Sequence, residues 1–200
     1  MEKAKIPLIR TFGRTKQRTL SARQQWLIDN LLPHLIPIRG ELSRSDLGGA
    51  ILEIGFGTGE HVIELAEQNP DKIIIGAEPF INGVASLLSK IVDENNEIKP
   101  EFKNIRIFPD DVRKLLSDMN TAFDEIYILH PDPWPKARHE KRRLINREFL
   151  KTLSFLISKN GKIIIGTDHT DYYNWILEQI QRTNLKTYNR EISAIKTKYQ

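Results

Sequence analysis

Cysteine is absent from all 200 residues, which excludes a disulfide, a thiolate nucleophile and a thiolate-bound zinc ion. No apolar run is long enough to cross a bilayer. The start, MEKAKIPLIR, carries basic residues but no apolar stretch leading to a small-residue cleavage site, so a secretory signal is not expected. His61, His130, His139 and His169 fall at no metal-ligand spacing, and no H-x-x-x-H helix is present. Internal repeats and low-complexity tracts are missing too. With 40% hydrophobic and 28% charged residues, the composition is that of an ordinary globular protein with one sizeable core. A cytoplasmic setting is the expectation.

The net charge of +4 is mild, but its distribution is uneven. Met1 to Arg23 holds seven Lys/Arg against the single acid Glu2. Lys136 to Lys151 holds seven bases against Glu140 and Glu148. Between them, Leu52 to Pro135 carries sixteen Asp/Glu and seven Lys/Arg. A single charge run is usually solvated surface. Two basic clusters flanking one acidic centre suggest a basic face for a polyanion and a separate acidic site for a cationic or hydroxyl-rich ligand.

Residues 1–20 lack apolar periodicity and read as a basic, flexible arm, leaving residues 21–200 as one domain. Ser21-Ala22-Arg23-Gln24 is a capping box that opens an amphipathic helix through Trp26, Leu27, Leu31 and Leu32, ended near Pro33 or Pro37. Strand-like runs then alternate with helical stretches. Strands are expected at Ala50–Ile54, Lys72–Ala77, Asn104–Phe108, Phe123–Leu129 and Lys162–Gly166. Helices are expected near His61–Gln68, Phe80–Val92, Val112–Met119, Arg147–Ser158 and Tyr172–Arg182. Uninterrupted runs such as Ile73-Ile74-Ile75 and Ile163-Ile164-Ile165 indicate strands buried on both faces. The implied fold is α/β: a doubly wound, mostly parallel sheet that takes its ligand at the carboxyl ends of the strands. Trp26 and Trp175, at helical spacing with apolar neighbours, are read as core. His130 is read as a loop residue and His169 as a neighbour of a helix cap.

Ile51 to Gly59, ILEIGFGTG, runs from a strand into a glycine-rich turn and then a helix. Gly55, Gly57 and Gly59 allow positive φ and a close approach of backbone to a ligand. A nicotinamide cofactor is the first rival, but its G-x-G-x-x-G spacing would need a glycine where Glu60 stands. Glu53, inside the strand, is a poor neighbour for pyrophosphate and suits the amino-acid end or ribose of a cationic sulfonium cofactor. Glu78 ends the second strand, where a carboxylate can accept both ribose hydroxyls. Asp110 and Asp111 follow the third strand; one could hold an adenine amino group while the other caps the next helix. Acids at three successive strand ends make the S-adenosylmethionine pattern of Rossmann-like methyltransferases.

Ile126 to Lys136, IYILHPDPWPK, leaves the fourth strand through three prolines, which stiffen the loop and fix where Asp132 and Trp134 point. The run His130 to Arg143, HPDPWPKARHEKRR, resembles the signature of the bacterial tRNA (guanine-N7)-methyltransferases, and so does LEIGFGTGEH. The resemblance extends over most of the chain, from Phe12-Gly13-Arg14 and Ser21-Ala22-Arg23-Gln24-Gln25 through Gly166-Thr167-Asp168 to Thr197-Lys198-Tyr199. It implies that Glu53, Glu78 and Asp110 contact S-adenosylmethionine. Asp132 is implied as the catalytic acid beside the cofactor. Lys136, Asp168 and the terminal Thr197, Lys198, Tyr199 and Gln200 are implied to contact the substrate, and Arg138, His139, Lys141, Arg142 and Arg143 to hold RNA. The implied substrate is a guanine in the variable loop of tRNA, and the implied assembly a monomer or homodimer. Two departures accompany the resemblance. Gln200 stands where the family usually has glutamate, and relatives usually continue into a final strand.

The chemistry agrees with that implication. Guanine N7 has a free lone pair and no proton, so methylation requires no general base; positioning and electrostatics suffice. Asp132 or Asp168 could accept from guanine N1–H and the N2 amino group, and Trp134 offers a face for stacking. Two other readings compete. Amino-methyltransferases of adenine or cytosine usually carry Asp/Asn-Pro-Pro-aromatic, and Asp132-Pro133-Trp134 lacks the second proline. A non-catalytic RNA-binding relative would bind the cofactor and methylate no RNA.

Overall fold

Uninterrupted Ile and Leu runs build the centre of the molecule. In the computed structural model, which describes residues 11–12, 18–37, 49–117, 119 and 122–187, five strands form one sheet. They are β1 (Ala50–Ile54), β2 (Ile73–Ala77), β3 (Ile105–Phe108), β4 (Phe123–Leu129) and β5 (Ile157–Gly166). Their order is β3-β2-β1-β4-β5, and every neighbouring pair is parallel. The chain therefore winds outward in one direction through β3 and in the other through β5, with the switch between β1 and β4. Ligands of such sheets bind outside the carboxyl ends at this switch.

Six α-helices are described: α1 (Ala22–Asn30), α2 (Glu60–Gln68), α3 (Ile81–Ile91), α4 (Val112–Leu116), α5 (Arg147–Leu156) and α6 (Thr170–Gln181). They divide the core into two layers. Ile51 and Ile74 pack with Val62, Leu65, Leu87 and Leu88 of α2 and α3, joined by Leu27 of α1. Leu52, Ile54, Ile75, Ile126 and Ile128 pack on the other face with Leu150, Leu153 and Tyr172 of α5 and α6. Both faces of β1 are thus buried, which is why its sequence lacks polar alternation. Each fully buried Ile or Leu contributes about 1.5–3 kcal/mol relative to exposure.

The capping box forms as expected: the Gln24 amide donates to Ser21 Oγ at 3.2 Å, and Gln24 Oε1 accepts from the Ser21 amide at 3.1 Å. Other expectations needed correction. Trp26 is not core: among the described residues it is 47% exposed, whereas Leu27 is fully buried. One residue along a helix is a turn of about 100°, so only one of the two can face the core that α1 forms with α3. Trp175 does pack partly buried against the core, with its Nε1 donating to the Ile145 carbonyl at 2.8 Å. β5 begins five residues earlier than Lys162, because Ile157 leaves α5 in an extended conformation and pairs with Phe123. Gly161 permits the irregular start, since a Cβ there would meet the Phe123 carbonyl oxygen at 2.8 Å.

Candidate active site

Register fixes what meets at the sheet edge. Ile54 of β1 pairs with Ala77 on one side and Ile128 on the other. The glycine turn that follows β1 therefore emerges between Glu78, just past β2, and the proline loop that follows β4. Gly55, Gly57 and Gly59 all have positive φ, at 78°, 59° and 87°. The three divide by what surrounds them. A Cβ on Gly55 or Gly57 would meet nothing within 4 Å, so the turn faces open space there. A Cβ on Gly59 would lie 2.8 Å from Leu87, so that glycine serves the packing of α2 on α3.

Glu78 is buried and its two oxygens accept backbone hydrogen bonds, from the Gly57 amide at 2.8 Å and the Phe80 amide at 2.9 Å. Burial pushes its carboxyl up from the usual range; the two amides pull it back, and the charges of Glu53 and Asp132 raise it again. Glu53 is also buried, at 3% exposure. Its Oε2 lies 3.1 Å from Nδ1 of His61 on α2, off the line of a hydrogen bond, so both buried atoms lack a hydrogen-bond partner among the described residues. The His61 ring stands edge-on to Tyr127, with centroids 4.8 Å apart. Neither contact was legible in the sequence, where His61 was only excluded as a metal ligand. No group of three or more possible metal ligands occurs among the described residues.

Cap geometry separates the two aspartates after β3. Asp111 is the N-cap of α4, accepting from the Arg113 amide at 3.0 Å, and is ion-paired with the Arg113 guanidinium at 2.6 Å. Thr11 of the arm donates at 2.9 Å to Oδ2, the oxygen that also takes this guanidinium contact. Burial raises the Asp111 carboxyl, but the Arg113 and Thr11 contacts outweigh it and hold the pKa below the usual range. Asp110 keeps a half-exposed side chain, paired with Lys114 at 2.7 Å.

The loop after β4 is stiff and bent. His130 and Trp134 both have positive φ, 50° and 42°, and the His130 amide donates to the Gly166 carbonyl at 2.8 Å. Asp132 and Lys136 are exposed. Asp168, after β5, lies 4.0 Å from His130 Nδ1, so the substrate-binding candidate and the proline loop are neighbours. His169 is the N-cap of α6, its Nδ1 accepting from the Tyr172 amide at 3.4 Å. Thr197, Lys198, Tyr199 and Gln200 lie outside the described residues.

The basic block splits into two kinds of residue. Residues Ala137–Arg142 form a 3-10 helix in which Arg138 and Lys141 are exposed. His139 sits among these cations; desolvation and then the charges of Arg142, Arg138, Lys136 and Lys141 lower its pKa. The guanidinium of Arg142 lies over the Trp134 ring at 5.0 Å and over Phe12 at 5.3 Å, which occupies one face of Trp134. Arg143, expected among the RNA contacts, is buried, donating to the Pro133 carbonyl at 2.9 Å and packing over Trp175 and Tyr172.

Fold and site together define a Rossmann-like methyltransferase. The model of a family described as "Putative methyltransferase" matches residues 49–199. A tRNA (guanine-N(7)-)-methyltransferase of Caulobacter vibrioides (strain NA1000 / CB15N) is 40% identical over 177 residues, spanning 86% of this chain and 76% of that protein. One of Sphingopyxis alaskensis is 41% identical over 181 residues, spanning 88% and 76%. The chain belongs to the tRNA (guanine-N7)-methyltransferase family. Among solved structures, the precorrin-6y C5,15-methyltransferase of Geobacter metallireducens GS-15 superposes with a TM-score of 0.51 at 14% identity, covering 71% of this chain and 65% of that one. That likeness is one of fold.

Proposed function

We propose that this protein transfers a methyl group from S-adenosylmethionine to N7 of a guanine in tRNA, in the variable loop. One observation carries the reading: the sheet register sets Glu78 and the Asp132 loop on either side of an open glycine turn. The donor fits the residues present. Glu53 has a buried oxygen with no hydrogen-bond partner among the described residues, and Gly55 and Gly57 leave room in front of the turn. Glu53 would take the amino-acid end or ribose, Glu78 the ribose hydroxyls and Asp110 the adenine amino group. Asp110 is preferred to Asp111, which is buried with its oxygens committed to Arg113 and Thr11, whereas Asp110 is half-exposed and its partner is the exposed Lys114. When bound, the cofactor supplies a methyl group made electrophilic by its sulfonium charge.

The work left to this chain is orientation and electrostatics, because N7 has no proton to remove. Asp132 offsets the positive charge that N7 acquires, and Asp132 or Asp168 accepts from N1–H and the N2 amino group, a donor pair adenine lacks. Lys136 and the terminal residues Thr197 to Gln200 assist in holding the nucleotide. Arg138, Lys141 and Arg142, with His139 among them, bind the RNA backbone and contribute affinity without reading sequence.

The test is incubation with labelled S-adenosylmethionine and unmodified tRNA, then reduction and aniline cleavage, which cuts at N7-methylguanosine. Strand scission at one guanine is expected. Asp132→Ala should reduce turnover about 100-fold while leaving cofactor affinity nearly unchanged. Label in adenine, or normal turnover in that variant, would refute the assignment.

A further inference from the structure

The proline loop is anchored by side chains from outside it. Pro131, Pro133 and Pro135 have no backbone N–H, and among the described residues no backbone–backbone hydrogen bond anchors 131–135. Trp134 nevertheless keeps a left-handed φ of 42°, a conformation that persists in a bulky residue only when its surroundings impose it. The donors come from Arg143. Its Nε bonds the Pro133 carbonyl at 2.9 Å, and a second guanidinium nitrogen reaches the Trp134 carbonyl at 3.5 Å.

Arg143 is in turn fixed from behind. Its guanidinium lies 4.7 Å from the Trp175 ring and 5.5 Å from the Tyr172 ring, both on α6. Those two residues also fasten the backbone just beyond it: the Ile145 amide donates to Tyr172 Oη at 3.3 Å, and Trp175 Nε1 donates to the Ile145 carbonyl at 2.8 Å. The nearest carboxylate, Glu140, is 3.8 Å away and half-exposed. Arginine cannot shed its proton, so a buried guanidinium must be satisfied as a cation. Here two loop carbonyls and two ring faces satisfy it.

We infer that Arg143, braced by Trp175 and Tyr172, is a positioning residue that holds the Pro131–Pro135 loop and thereby the Asp132 carboxylate. The inference rests on the role given to Asp132 above. Lysine retains the charge but cannot donate along two directions while lying flat on a ring. Leucine or methionine would fill the volume and leave both carbonyls without donors.

Amide hydrogen exchange of His130, whose N–H donates to the Gly166 carbonyl at the root of the loop, reads the clamp and needs no activity. In Arg143→Met, exchange there should accelerate about tenfold while β1 stays protected. Arg143→Lys should fall between that variant and the wild type. Trp175→Leu leaves Arg143 in place and should loosen the same segment, which keeps the test decisive if Arg143→Met fails to fold. With saturating tRNA, kcat should fall about 100-fold in Arg143→Met, with the Kd for S-adenosylhomocysteine within about threefold of wild type. The salt dependence of tRNA binding should not change. Unaltered exchange, or a salt slope reduced by about one, would overturn the inference, the latter marking Arg143 as a phosphate contact. Wild-type protein that methylates no tRNA would overturn the activity reading alone, with the exchange rates still deciding the clamp.

Discussion

The Gly57 amide donates a 2.8 Å hydrogen bond to Oε2 of Glu78, tying the turn after β1 to the acid after β2. This bond makes the glycine loop and the carboxylate proposed for the ribose one unit. Glu78 is also near the charges of Glu53 and Asp132, so the crevice concentrates negative charge where a sulfonium donor would lie.

Cofactor affinity should therefore depend on pH through Glu78. Burial raises its folded pKa, so the carboxyl takes a proton at a higher pH than an ordinary glutamate. The ionised form is the better acceptor for two hydroxyls. Affinity for S-adenosylhomocysteine should rise as pH increases through the raised pKa and level off above it. Calorimetry between pH 5 and about 8 checks this. In Glu78→Gln the rise should vanish and affinity should be about 10–100-fold lower. For stability the sign is opposite: a raised folded pKa contributes most below the unfolded value and is lost as pH rises through the folded one. A pH-independent affinity in the wild type would exclude Glu78 from the ribose.

The neighbouring aspartates should give opposite phenotypes. Asp111→Ala removes the α4 cap and the partner of Arg113, and should cost about 1–2 kcal/mol of stability. The Asp111 pKa is lowered on folding, so its contribution is present above the unfolded value and lost as pH falls through the folded one. Asp110→Ala breaks a half-exposed pair with Lys114, worth about 0.3–0.5 kcal/mol, together with the bond Asp110 Oδ1 accepts from the Asp111 amide, and should weaken cofactor binding. Thermal melts and binding titrations on both variants decide the matter. Weak cofactor binding in Asp111→Ala and normal binding in Asp110→Ala would reverse the assignment.

Periodicity disclosed nearly all of the fold, because β1 and β2 are buried along their whole length and their signal is local; the Ile163-Ile164-Ile165 run of β5, expected to be buried on both faces, is only partly buried. The glycine turn, Glu78 and the proline loop were legible for a similar reason: each lies at a strand end, where composition changes abruptly. Arg143 was not. Within Lys141-Arg142-Arg143 nothing local marks one base as buried; Tyr172 and Trp175 decide it from another helix. The approach of His61 to Glu53 was hidden because helix pitch, not spacing, brings them together. Trp26 misled because the apolar residues of α1 are adjacent in sequence and only Leu27 turns into the core beside α3.

Exposure within the basic block separates its residues by salt response. Arg138 and Lys141 are exposed and flank the proline loop. Replacing either by alanine should weaken tRNA binding uniformly across tRNA sequences and reduce the slope of log K against log salt by about one. Filter binding between 50 and about 200 mM salt is sufficient. A loss confined to one tRNA would show that these side chains read bases instead.

Gly83→Ala tests how closely α3 must approach the cofactor turn. Two effects oppose each other. Alanine inside a helix is favoured over glycine by about 1 kcal/mol. Against this, a Cβ on Gly83 would stand 2.1 Å from the Gly57 carbonyl oxygen, a backbone atom that cannot swing aside. Relief requires the turn or the helix to shift, and overpacking of this kind typically costs about 1–3 kcal/mol. The clash should win. The shift would also displace the Gly57 amide from Glu78, so affinity for S-adenosylhomocysteine should fall together with the melting temperature. A more stable variant with unchanged affinity would mean that helix and turn are not in close contact, and that the coupling of Gly57 to Glu78 does not depend on α3.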